Sequence, residues 1–215
     1  MKSDLLEDSK QKVWLDNLAY WGAKAIVVAA FSVFLARIIP RILQAPTITL
    51  VLLMAGEVLL VVLVIFAKRP TEVKFGFIAC TSAVVATFYF FVVVLDSGQQ
   101  LMPVWFSASL QVFGILIQIW AKVCLGRSFG LLPANRGIVT HGAYRIVRHP
   151  IYLGYLISHI GFLVASYSFA NLALYVGLYV FQGIRIWQEE NLLCKDSTYA
   201  AYKKRTRYRL IPLVI

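Results

Sequence analysis

Apolar and polar positions fall in long blocks along this chain. Apolar runs almost free of charge cover residues 23–39, 48–67, 75–95, 104–124, 151–166 and 171–188. A helix needs about 20 such residues to cross the hydrocarbon core of a bilayer. The six runs therefore predict six membrane-spanning helices. The fifth is short and has to extend to about Ser168 or rest partly at the interface. A soluble helix of this length keeps a polar stripe toward water, and these runs have none. The expected fold class is all-α, a polytopic membrane helical bundle.

The remaining stretches divide the chain into three parts. Residues 1–22 are charged at their start and contain Leu5, Leu6, Val13, Trp14, Leu15 and Leu18. They read equally as an interfacial amphipathic helix and as a solvated arm, and they lack the apolar centre of a signal peptide. Residues 23–103 hold three spans, punctuated by Pro40, Pro46 and Pro70, and ordinary apolar packing explains nearly all of them. Residues 104–215 differ: a span ends near Cys124, then comes a 26-residue connection, a tight helical hairpin and a basic tail. The connection is too long to be a simple link.

Composition adds one restriction. The chain is 60% hydrophobic and 14% charged, against about half and a quarter for soluble domains, so a soluble protein with a large core is excluded. The net charge of +11 does not call for nucleic acid. With six spans, the N-terminus, the 68–74 loop, the 125–150 connection and the C-terminal tail share one side. Of the 21 Lys and Arg, only Arg37 and Arg41 fall by the opposite face, and loops 96–103 and 167–170 carry none. The positive-inside rule then places both termini in the cytoplasm, where anionic lipid heads attract a basic tail. The three cysteines, Cys80, Cys124 and Cys194, are odd in number and lack metal-ligand spacing. They read as reduced and structural, with no metal site.

Polar residues within spans are costly and mark function or interhelical contacts. Glu57 stands mid-span with no second titratable group expected at its depth, and reads as a protonated glutamate hydrogen-bonded within the bundle. Gln111 and Gln118, seven apart, share a face as interhelical contacts. Arg185 and Glu189 are four apart near the end of the last span and share a helix face. Glu190 follows, and two adjacent carboxylates at a helix C-terminus oppose its macrodipole. They form either a local ion pair beside a solvated Glu190, or a site in which Glu189 turns inward toward a cation or hydroxyls.

The stretch Gly142-Ala-Tyr-Arg-Ile-Val-Arg-His-Pro-Ile-Tyr-Leu-Gly-Tyr155 opens the fifth span. Pro150 suits the first turn of a helix, and the free N–H groups there attract an anion. Tyr152 and Tyr155 project within one turn, Gly154 permits close backbone approach, and Arg145 and Arg148 suit lipid headgroups. If the sixth span returns antiparallel, Glu189 comes back to this depth. One mouth then offers an anion site, rings for stacking and a carboxylate. These contacts fit a ligand with an aromatic base, a carboxylate, an amine and ribose hydroxyls.

These residues carry a family pattern. It runs Leu125-Gly-Arg-Ser-Phe129, Gly137-Ile-Val-Thr140, Gly142-Ala-Tyr-Arg145, Arg148-His-Pro-Ile-Tyr-Leu-Gly154, then Arg185, Glu189-Glu190, Leu193, Tyr199, Tyr202 and Pro212. Over roughly residues 120–212 the chain resembles the isoprenylcysteine carboxyl methyltransferase family of integral membrane enzymes. The resemblance implies S-adenosylmethionine as methyl donor, held by Gly137, Ile138, Val139, Tyr144, His149, Pro150, Ile151, Tyr152 and Glu189. It implies that Arg185 positions the substrate. Arg136 departs from the histidine of several members. Methyl transfer needs alignment and exclusion of water. A carboxylate acceptor, ionised at neutral pH, needs a positioning cation and no base; an amine or thiol acceptor would need one, for which Glu190 is the candidate. The expected acceptor is a lipophilic, isoprenylcysteine-type carboxylate. The alternatives are a phospholipid amine or a thiol as acceptor, an NADPH-dependent sterol-reductase-like enzyme (position 151 is Ile where that group has Asn), and a membrane transporter or scaffold.

Overall fold

A computed structural model describes residues 2–73, 76–89, 92–94, 98–130 and 133–214. Side chains are described from residue 18 onward, except at 19, 23, 72–75, 79–80, 83 and 87–88. Seven α-helices follow in chain order: α1 (Lys2–Gln44), α2 (Ile48–Phe66), α3 (Phe77–Phe88), α4 (Val104–Leu125), α5 (Pro150–Ala165), α6 (Phe169–Leu193) and α7 (Ser197–Arg205). The all-α membrane bundle read from the hydropathy blocks is the architecture found. Among the described residues, four helices are long and apolar enough to cross a membrane: α1 from Tyr20, α2, α4 with the turn that follows it, and α6. α3 has 12 residues and α5 has 16.

Several elements differ from the sequence reading. α1 is continuous through 43 residues, so the N-terminal segment and the first span are one helix. Pro40 lies inside it rather than in a loop. A proline removes only its own N–H and crowds one carbonyl, and the helix survives for another turn before Pro46. The bundle is also not purely helical. Strands β1 (Glu72–Val73) and β2 (Ala134–Asn135) pair antiparallel, extended by the Thr71 N–H to the Asn135 carbonyl (2.9 Å) and the Lys68 N–H to the Arg127 carbonyl (2.8 Å). This ladder fastens the loop after α2 to the connection before α5.

One end of the bundle gathers the working parts. Near the start of the α1 crossing, Tyr20 OH donates to Ala67 O (3.2 Å) and Lys24 Nζ to Ile65 O (2.7 Å), so α1 and the end of α2 meet there. The end of α4, the start of α5, the end of α6 and α7 lie at the same level. At the opposite end Gln99 and Tyr167 exchange backbone hydrogen bonds, and Asn171 fixes the Val94 backbone with both its amide groups (3.0 and 2.9 Å).

The hairpin partner of α5 is not its closest neighbour. α5 packs mainly on α4 and only lightly on α6. Glycines explain the choice: a Cβ on Gly154 would lie 2.6 Å from both Gln118 Cγ and the Gly114 carbonyl, and one on Gly161 would lie 2.8 Å from Gln111 N. Small residues allow helix backbones to touch where lipid offers no hydrophobic drive. Gln118 Nε2 donates to Ser158 Oγ (3.1 Å) across the seam, the interhelical contact expected of it. Gly154→Ala is expected to cost about 1–3 kcal/mol through overpacking, read as a lowered unfolding midpoint in mild detergent. An unchanged midpoint would mean that the seam yields.

Because α5 leans on α4, a space opens between α5 and α6. Its outer part is filled by His159, whose ring stacks on Tyr175 at 4.7 Å and whose nitrogens meet Tyr89 OH (2.7 Å) and Tyr179 OH (2.9 Å). The rest is a cavity.

Candidate active site

The connection before α5 is shaped by short-range chemistry. Gly137 takes φ +98°, a left-handed conformation that favours glycine. Its N–H donates to Asn135 Oδ1 (3.0 Å), and Asn135 Nδ2 donates to Asp196 Oδ2 (3.2 Å). Asp196 in turn caps α7 by accepting from Thr198 N (2.8 Å), which holds its carboxyl below the usual carboxylate range. Gly142, at φ +58°, lets the chain turn over Cys124, whose sulfur a Cβ would strike. The following turn sets Tyr144 into a core with Ala121, Ala143, Tyr199 and Tyr202. Tyr202 OH donates to Tyr144 O (2.7 Å), bringing α7 down onto this turn. Pro150 is the first residue of α5, as its type predicts.

Behind the turn lies a buried ion cluster. Glu190 is 2% exposed. Its Oε1 accepts from Arg148 Nε (2.7 Å) and His149 Nε2 (3.3 Å), and its Oε2 accepts from Arg209 (2.9 Å) with Lys203 Nζ at 3.7 Å. The Arg148 guanidinium also donates to Thr206 O (2.9 Å) and Arg207 O (2.6 Å), while the Arg148 and His149 N–H groups bond Tyr208 and Arg209 carbonyls. This network corrects two expectations. Arg148 is not a headgroup contact, because it staples the C-terminal tail to α6. Glu190 is neither solvated nor in the mouth, because four cationic or proton-donating side chains on one carboxylate fix it behind the wall. Arg145, by contrast, is exposed as expected.

In front of the wall is a cavity of about 220 Å³. Nine of the expected residues line it: Gly137, Ile138, Val139, Tyr144, His149, Ile151, Tyr152, Arg185 and Glu189. Pro150 does not, because it is the buried first residue of α5, beneath the lining. Glu190 does not either. The lining continues past the mouth into the bundle through Tyr155 and Gln182 to Glu57. It ends among Val27, Ala30 and Phe34 of α1, Leu53 and Leu60 of α2, and Ala86 of α3. A polar mouth and an apolar arm are therefore one space.

Arg185 does not spend its charge on a local ion pair. One terminal nitrogen reaches Gly130 O (3.4 Å), its carbon lies 5.9 Å from the Tyr152 ring centre, and its Nε is buried without a partner among the described residues. Arg136, the departure from the family pattern, lines the mouth. Burial lowers its guanidinium from the ordinary arginine value, and the Glu189 carboxylate opposes that. Burial, reinforced by the charge of Glu189, holds the Tyr144 hydroxyl well above the usual tyrosine range. Burial likewise raises Tyr199 and pushes Tyr202 up to about 12. All three hydroxyls stay protonated at neutral pH, and that of Tyr199 is buried at the mouth with no partner among the described residues.

Glu57 has company at its depth. The Lys122 ammonium, 1% exposed, donates to the carbonyl of Gly56 (3.2 Å) and lies within electrostatic reach of the Glu57 carboxylate. This overturns the expectation of an isolated titratable group; α4 delivers a lysine from 66 residues away. Gln182, Tyr199 and Arg136 are lining residues absent from the sequence-derived set. Gln182 had a signal, since it shares the helix face of Arg185 and Glu189. Cys124 and Cys194 are free thiols, and the Cys80 side chain lies outside the described residues. Among the described residues, no group of His, Cys, Asp or Glu is placed to hold a metal.

The mouth combines the buried Tyr199 hydroxyl, which has no partner among the described residues, with the Glu189 carboxylate and the rings of Tyr144 and Tyr152.

Part of the chain is similar to known methyltransferases. Residues 107–195 match the Isoprenylcysteine carboxyl methyltransferase (ICMT) family. Protein-S-isoprenylcysteine O-methyltransferase A of Arabidopsis thaliana is 39% identical over 61 residues, covering 26% of this chain and 31% of the relative. The aligned part thus spans under a third of that relative's length.

Proposed function

We propose that this chain, whose residues 107–195 match the isoprenylcysteine carboxyl methyltransferase family, transfers a methyl group from S-adenosylmethionine to the carboxylate of a lipophilic, isoprenylcysteine-type acceptor. The observation that carries the reading is the continuity of the cavity: its polar end suits a charged donor and its apolar end a lipid chain. In this reading the basic loops and both termini face the cytoplasm, so the mouth opens where the donor is dissolved.

In this reading Glu189 and the Tyr199 hydroxyl bind the donor's polar groups. Tyr144 and Tyr152 supply ring faces, and Gly137 to Val139 supply backbone. His149 and Ile151 close the wall. Bound there, S-adenosylmethionine supplies an electrophilic methyl group on a sulfonium. Arg185 orients the acceptor carboxylate so that one oxygen lone pair lines up with the methyl group. The bound donor would give up its methyl group to that oxygen and leave as a neutral thioether, so the transfer would balance without a further reactant. No proton is released, so no general base is needed, and Glu190 serves as the structural anchor of the tail. The apolar arm excludes water, and orientation of this kind supplies much of the acceleration.

Labelled-methyl transfer to N-acetyl-S-farnesylcysteine tests the reading. The wild-type protein is expected to form a base-labile methyl ester. Arg185→Ala is expected to retain donor affinity and lose roughly 100-fold in kcat/KM. Undiminished turnover in that variant would remove Arg185 from acceptor positioning.

A further inference from the structure

We propose that Gln182 and Glu57 form a second recognition point for the acceptor, a hydrogen-bond-accepting pair that selects carboxylates bearing an N–H group on the adjacent carbon. The proposal rests on the methyltransferase reading and concerns how its acceptor is chosen.

Two observations carry it. Gln182 is 3% exposed, lines the cavity, and its Oε1 has no hydrogen-bond partner among the described residues. Buried polar atoms are nearly always paired, so an orphaned carbonyl facing a cavity marks a place where a ligand donates. Glu57 lines the same cavity and shares its helix face with the lining residues Leu53 and Leu60, at spacings of four and three residues. The helix geometry orders these groups. Gln182 sits one turn deeper than Arg185, about 4.5 Å along α6, on the side leading to the apolar arm. An acceptor whose carboxylate meets Arg185 therefore presents the next atoms of its skeleton to Gln182 before its hydrocarbon reaches Val27 and Phe34. Both Gln182 Oε1 and the Glu57 carboxylate accept hydrogen bonds. A second anionic group presented to either oxygen acceptor would be repelled, so the two residues also disfavour acidic lipid headgroups. Lys122 lies behind Glu57 and does not line the cavity, so an acceptor meets the carboxylate and not the ammonium.

The test compares three acceptors with the same farnesyl thioether and carboxylate. N-acetyl-S-farnesylcysteine carries an amide N–H, S-farnesylcysteine an ammonium, and S-farnesyl-3-thiopropanoate neither. The full-length protein in nanodiscs is expected to prefer at least one N–H acceptor over the thiopropanoate by roughly tenfold or more in kcat/KM. The same order is expected for binding of the acceptors without donor. In Gln182→Leu and in Glu57→Leu the preference is expected to fall to within about twofold, a ratio that a merely structural loss does not move. Equal use of all three acceptors by the wild-type protein, or an unchanged ratio in both variants, overturns the proposal and leaves the methyltransferase reading standing. Failure to methylate any of the three while the donor binds overturns the acceptor class itself, and this proposal with it.

Discussion

Glu190→Ala is expected to lower the stability of the protein by about 3–5 kcal/mol and to free the C-terminal tail. The carboxylate is the common acceptor of Arg148, His149 and Arg209. Without it the Arg148 guanidinium, 8% exposed, stays buried with only carbonyl partners. An uncompensated buried charge is among the costliest defects a substitution can create. Residues 206–208 hang on the same arginine and Arg209 on Glu190 itself, so hydrogen exchange in the tail is expected to rise together with the fall in the unfolding midpoint. Replacing both partners, Arg148→Met with Glu190→Met, is expected to cost less than Glu190→Ala alone, because no charge is left stranded. If Glu190→Ala instead kept wild-type stability and lost only methylation, Glu190 would belong to the chemistry and not to the wall.

The neighbouring glutamate is expected to behave in the opposite way. Glu189→Ala should fold normally, since Glu189 is only half-buried and faces the cavity, and it should weaken S-adenosylmethionine binding roughly 10- to 100-fold. That range corresponds to the loss of one hydrogen bond to a charged group, about 1.5–3 kcal/mol. The two adjacent carboxylates thus separate by readout, one by stability and the other by ligand affinity. Calorimetry on Glu189→Ala with unchanged donor affinity would take Glu189 out of the donor site.

What the sequence discloses and what it conceals follow from the range of the interactions. Hydropathy is summed over about 20 residues, so the bundle is legible and α2, α4 and α6 lie close to their expected limits. Pro150 at the start of α5 and the cavity-facing positions of Arg185 and Glu189 follow from local helix rules. The contacts that escape it join residues far apart in the chain. Arg148 meets Glu190 across 42 positions, Lys122 meets Gly56 across 66, and His159 meets Tyr89 across 70. Nothing in the local pattern of Arg148 distinguishes a lipid-facing arginine from a buried staple; only the return of the tail over α5 decides it. Likewise the preference of α5 for α4 over its hairpin partner is set by facing glycines on both helices. Each glycine read alone is an ordinary small residue.

The central claim is that the mouth between α5 and α6 binds a methyl donor, and its most direct test is calorimetric titration of the purified wild-type protein with S-adenosylmethionine and with NADPH. Saturable binding of S-adenosylmethionine, shared by S-adenosylhomocysteine and absent for NADPH, is the result predicted. Binding of NADPH with none for S-adenosylmethionine would contradict it.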